Sequence, residues 1–257
     1  MGGSKLLGVV MALGIVIFMS SCKPKEPQSP ATSSFTLKMK AKYGNQPFAL
    51  GTANIDSAGR YIVINTLQFY LSNISLIKTD GSKTNIDSLS IFVFSDTASL
   101  SVTVNNVTGD FTGISFGCGV DSLHNTDRTD SVFPNPYSGL WGMYWSMLNY
   151  RFEVMEGKWD TAAYINGGMR NALGYHVGTN VSYRQTQLNK AFSVCCGTNT
   201  SLVLYVDVAK IISNPTTGEA IDIATQSYTN SSGVTDPPAT LVTMRIFADN
   251  FSNAFTF

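Results

Sequence analysis

His124 in "DSLHNTD" and His176 in "GYHVGTN" are the chain's two histidines, and each offers an imidazole nitrogen of the kind that ligates transition metals. Thioether and thiolate sulfur are the other candidates. They are most concentrated in "GMYWSMLNYRFEVMEGKW", residues 142–159, which carries two of the three tryptophans, two tyrosines and three methionines. Met143 and Met147 stand two residues either side of Trp145, a spacing at which helical side chains do not share a face, so core filling is their first reading.

Cys118, Cys195 and Cys196 remain once Cys22 is set aside as a lipidation site (below), and an odd number in an exported chain implies one disulfide and one spare thiol. Adjacent cysteines rarely bridge each other, so the expected disulfide joins Cys118 to Cys195 or Cys196. A thiolate metal site is the sharper alternative, although "SVCCG" lacks C-x-x-C spacing.

Catalytic chemistry finds little support. Asp121, Asp127 and Asp130 lack the spacing of a calcium loop, and Glu153 and Glu156 are three apart, so they fall on opposite faces of a strand. There is no G-x-S-x-G, no P-loop and no G-x-G-x-x-G opening a helix. The chain is expected to bind rather than to catalyse.

The N-terminus reads "MGGSKLLGVVMALGIVIFMSSCKPKEPQSPATSS". Lys5 supplies the positive end, Leu6 to Met19 an apolar run too short to span a bilayer, and Ser20-Ser21-Cys22 a small-residue cleavage site ending in cysteine. This is the pattern of a bacterial lipoprotein signal at 1–21, with lipid on Cys22 and attachment to the membrane as the expected consequence. Residues 22–34 are proline-rich and polar, an extended tether. The folded domain is expected over 35–257. Seventeen basic and seventeen acidic residues cancel, so no basic face recommends nucleic acid as a partner.

The elements that position these residues read mainly as strands. Period-two alternation with β-branched enrichment recurs at 35–41, 67–78, 88–94, 99–104, 111–117, 151–156, 201–208 and 241–247, and Asp80-Gly81 marks a hairpin turn. Short strands separated by turn residues predict an all-β fold, a sandwich of mainly antiparallel strands with short helical insertions. Those insertions are expected over about 140–148, in "DVAKIISNP", and in "RIFADNFSNAF" at the end of the chain. His176 falls on a short strand. His124 falls at the start of the long irregular stretch 121–141.

"LQFYLSNISLIKTDG", "FGCGVDSLHN", "GMYWSMLNYRFEVMEGKW" and "YHVGTN", in this order and with these gaps, resemble the MbnP-like family of exported copper-binding proteins, which includes the copper-repressible surface protein type. The resemblance runs from about Phe35 to the C-terminus. It implies one copper ion held among histidines beside a tryptophan that a partner dihaem oxidase oxidises. By motif the tryptophan is Trp145, with Met143 beside it, and the ligands are His176 and His124. Copper-binding members supply about three histidines, one of them in the strand where this chain has Ser72 and Asn73.

The sequence is therefore read as an extracytoplasmic lipoprotein, anchored to a bacterial outer membrane on its periplasmic or surface face, that binds or chaperones copper. The alternative is a surface lipoprotein without metal that meets a partner protein or glycan through the 121–141 loop.

Overall fold

Alternation in "SFTLKMKAKY" makes the strand Ser34–Tyr43, burying Phe35, Leu37 and Met39 while Lys38 and Lys40 stay exposed. The computed structural model describes residues 32–125, 143–145, 149–162, 171–227, 229–230 and 238–257. Within them, two sheets enclose the main core. The five-stranded sheet runs Phe255–Thr256, Asn199–Asp207, Ser34–Tyr43, Gln46–Pro47, with Ser101–Asn105 added on Ser34–Tyr43. Ser34–Tyr43 and Asn199–Asp207 pair in parallel, and the remaining pairs of this sheet are antiparallel.

The nine-stranded sheet runs Arg184–Val194, Gly109–Cys118, Tyr61–Lys78, Asn149–Asp160, Asn171–Gly178, Thr229–Asn230, and its long strand Tyr61–Lys78 also pairs with Ala53–Ile55 and Lys83–Val93. Phe35 and Leu37 of the small sheet meet Ile64, Leu67, Phe69 and Met155 of the large one in a single apolar cluster. This is the all-β sandwich expected, with few helices. Asp80-Gly81 turns the hairpin as read, with Gly81 at φ 83° and the Asp80 carboxylate accepting from Ser82 N–H at 2.8 Å.

Three expectations are corrected. Residues 241–247 are not a strand: Pro238–Ser252 is one helix, in which Met244, Phe247, Ala248 and Phe251 stack at helical spacing onto the core. The described part of the stretch 140–148 is mainly strand and not the expected helix. Tyr144–Trp145 is a strand folded back on Asn149–Tyr150, and Asn149 takes φ 61°, a left-handed conformation that asparagine tolerates at such a reversal.

The disulfide is the third correction, since Cys118, Cys195 and Cys196 are all free. Arg184 lies opposite Cys118 whereas Val194 lies opposite Gly109, so Cys195 and Cys196 follow the far end of the paired strand. Ten residues of extended chain, about 33 Å, separate the two ends, and a disulfide reaches about 7 Å between Cα atoms.

A second apolar cluster lies on the opposite face of the large sheet: Tyr70, Leu89, Val120, Met143, Tyr150, Phe152 and Val154. It gathers the even-numbered aromatic positions of "NYRFEV". Gly119, at φ 99°, lets the chain cross directly over Phe152, and an added Cβ there would lie 2.3 Å from the Phe152 ring. Gly119→Ala is therefore expected to cost at least about 1 kcal/mol of stability, from the backbone conformation alone, read as a lower midpoint in urea unfolding.

Candidate metal centre

The chain leaves Gly109–Cys118 through Gly119 and folds into a tight turn over Asp121–Asn125, where His124 N–H and Asn125 N–H both donate to the Asp121 carbonyl. That turn brings the His124 ring back onto the side chain three residues earlier. His124 Nδ1 lies 2.8 Å from both Oδ1 and Oδ2 of Asp121. Asn73 Nδ2 donates to Asp121 Oδ2 at 3.1 Å from the neighbouring strand. Asn73 can reach because the ladder slips between Ser72 and Ser75 and Asn73 itself sits at φ 52°, a bulge that re-aims its side chain.

Asp121 is partly buried, which alone would raise its pKa, but the His124 ring, the Asn73 amide and the Leu123 N–H hold it below the ordinary carboxylate range. It is thus a fixed anion. With Nδ1–H donating to it, a neutral His124 ring keeps its lone pair on Nε2, the orientation that carboxylate partners impose on metal-binding histidines.

Asn125 fastens this turn to the aromatic segment. Its Oδ1 accepts from Tyr150 N–H at 3.3 Å, its carbonyl accepts from Asn149 Nδ2 at 2.9 Å, and its own Nδ2 donates to Asn180 Oδ1 at 2.9 Å. Asn149 is the backbone partner of Trp145. His124 and Trp145 therefore belong to one local assembly joined through Asn125 and Asn149. The Trp145 side chain, Met147 and the rest of the loop to residue 142 lie outside the described residues. Met143 is fully buried in the second cluster beside Tyr70 and Tyr150.

His176 stands elsewhere. It occupies the strand Asn171–Gly178 opposite Val154, and its Nε2 lies 2.6 Å from Glu156 Oε1, a diagonal neighbour on the adjacent strand. A carboxylate accepts, so Nε2–H is the donor, and Nδ1 is shielded from solvent. Val154 is four residues along the strand from Tyr150, where the His124 turn attaches, a register separation of about 13 Å. The structure does not bring the two histidines together.

Among the described residues no group of three His, Cys, Asp or Glu side chains is placed to hold a metal ion. A cavity of about 640 Å³ lies at the small sheet, lined by Met39, Phe48, Leu50, Phe94, Leu100 and Tyr205 among others. It touches neither histidine, and its lining is largely apolar. The geometry around His124 is the better guide to chemistry, because there an imidazole is oriented by a charged partner.

Two residues of this assembly carry weaker signals in the sequence. Asp121 reads as a loop acid, and Asn73 enters only through the resemblance, which sets Ser72 and Asn73 in the neighbourhood of a family histidine. The spacing Asp121-x-x-His124 was the available sign, since one tight turn brings such a pair together.

No curated protein matches the chain. Among solved structures, MbnP from Methylosinus trichosporium superposes with a TM-score of 0.54 at 15% sequence identity, covering 82% of this chain and 87% of that one, which establishes a shared fold. The family model described as MbnP matches residues 32–234, most of the folded chain. With the sandwich, the His124 turn and the Trp145 hairpin in place, the chain belongs to the MbnP family.

Proposed function

We propose that this MbnP-family protein binds one copper ion outside the cytoplasm, with His124 as the principal ligand among the described residues. The observation that carries the reading is the Asp121–His124 pair, which leaves the lone pair of Nε2 for a borderline metal. Asn73 supports it by holding Asp121 from the strand in which, by resemblance, copper-binding members place a histidine.

His124 fits copper as a single imidazole ligand. His176 does not join the same centre, because its Nε2 is committed to Glu156. Copper held at His124 would supply a one-electron couple near the segment that carries Trp145, and a partner dihaem oxidase is the oxidant that the family resemblance proposes for that indole. The chain's own part is to orient the imidazole and to keep Asp121 ionised behind it. Export, the lipid on Cys22 and the outer-membrane location follow from the signal-like N-terminus and belong to the same proposal.

The test is a copper(I) and copper(II) titration of the full chain carrying Cys195→Ser and Cys196→Ser, which removes the exposed thiols that would compete for the metal, with retained metal measured after gel filtration. Close to one equivalent is expected for this parent and for His176→Ala made in it. His124→Ala is expected to lose retained copper, an affinity drop of at least about 100-fold. Equal retention by this parent and by His124→Ala made in it would remove His124 from the site. No retention by any form would favour a second reading, contact with a partner protein or glycan through this loop, which Leu123 supports by standing 79% exposed beside His124.

A further inference from the structure

The two thiols left without a disulfide partner stand together on the turn that carries the chain from the large sheet to the small one. Arg184–Val194 and Asn199–Asp207 are consecutive strands joined by Cys195-Cys196-Gly197-Thr198, and both cysteines are free and exposed. Thr198 N–H donates to the Cys195 carbonyl at 3.1 Å, and Thr198 Oγ1 donates to the same oxygen at 2.7 Å. Gly197 takes φ 75°. A glycine of positive φ at the third position of a hydrogen-bonded four-residue turn is the signature of a type II turn, with Cys195 and Cys196 at its first two positions.

The turn is also anchored from outside. Ser34 N–H donates to the Thr198 carbonyl at 3.0 Å, and Ser34 Oγ donates to Asn199 Oδ1 at 2.7 Å. The backbone under the two thiols is therefore held at the turn and at its exit. What remains mobile is the pair of side chains, each able to rotate about a single χ1 that carries its sulfur. Two adjacent thiols thus stand on a fixed turn, open to solvent and beyond the strand end opposite Cys118.

We propose that Cys195 and Cys196 together form a surface site for one soft, thiophilic cation of low coordination number. Thiolate sulfur selects such ions, of which monovalent copper is the one used as a probe below. On binding, both S–H bonds give up their protons to solvent and two metal–sulfur bonds form, with no change of oxidation state. The site lies on the turn between the two sheets, not in the His124 turn, and it stands or falls independently of the copper reading given to that turn.

The test uses the full chain carrying His124→Ala, so that the imidazole site contributes nothing. Copper(I) is delivered anaerobically against a chromogenic chelator, and the near-ultraviolet thiolate-to-metal absorption is recorded alongside the elution volume. One equivalent bound per monomer with that absorption is expected. Cys195→Ser and Cys196→Ser are each expected to weaken binding by about 100-fold or more, because a chelate becomes a single contact, and the double substitution should abolish the absorption. Absence of the absorption with both cysteines present would overturn the proposal. So would single variants that bind as tightly as the parent, or metal-loaded protein that elutes as a dimer, since either would mean that the two thiols do not share one ion.

Discussion

Glu153→Gln is expected to remove a component of stability that falls as pH rises, with a difference of up to about 1.4 kcal/mol per pH unit between the variant and the wild type. Glu153 sits in the middle of Asn149–Asp160, opposite Phe69 and Val177, and points into the core between the sheets. It is 2% exposed, and neither carboxyl oxygen has a hydrogen-bond partner among the described residues. Burial drives its pKa well above the ordinary carboxylate value, and the Arg184 guanidinium offsets only part of that. Arg184 is itself paired to Asp249 at 2.5 Å, so its charge is largely committed.

The folded state therefore holds a proton that the unfolded state releases near pH 4.3. The stability from neutral Glu153 is fully present below that value and is lost as pH rises towards the folded pKa. Glutamine has no proton to lose. Asp121 and Asp222 are both held low, Asp222 chiefly by the Arg60 side chain, so their contributions have the opposite sign but are common to both proteins and cancel in the difference. Urea unfolding at pH 4, 6 and 8 would show the variant gaining on the wild type as pH rises. Parallel stability curves would mean that Glu153 is ionised or solvated in the folded protein.

The other large effect concerns the support behind His124. Asp121→Asn is expected to lower copper affinity by about 10- to 100-fold while leaving the imidazole in place, the range typical when the carboxylate partner of a metal-bound histidine is removed. The amide would still accept one hydrogen bond from Nδ1 or from Asn73, so the turn survives, but the negative charge that polarises the ring is gone. Copper competition assays on Asp121→Asn and His124→Ala, each made with Cys195 and Cys196 replaced by serine, separate the roles. An Asp121→Asn protein that binds copper as tightly as its parent would show that the carboxylate only shapes the turn.

Much of the fold was legible in the residues. Strict alternation in "SFTLKMKAKY", the long apolar run of "LQFYLSNISLIK" and the Asp80-Gly81 turn each carry their structure locally, because period-two burial and a positive-φ glycine act over a few residues. "LVTMRIF" misled for a definite reason. Its β-branched and apolar residues suit a strand, yet the helix Pro238–Ser252 buries Met244, Phe247, Ala248 and Phe251 on one face, and that tertiary packing outweighs intrinsic preference.

The residue list by itself determined the stock of candidate ligands: two histidines only, and a tryptophan within a methionine-rich segment. It also determined the family, through motifs that survive in order. Tertiary structure alone decided the grouping. Strand register set His176 beside Glu156 and about 13 Å along the sheet from the His124 turn, and a bulge at Asn73 completed the Asp121 pair. The same register put Cys118 at one end of a strand pair and Cys195-Cys196 beyond the other. Distances between residues far apart in the chain depend on which strands pair and where the ladder slips, and neither is written in the neighbours of any one residue.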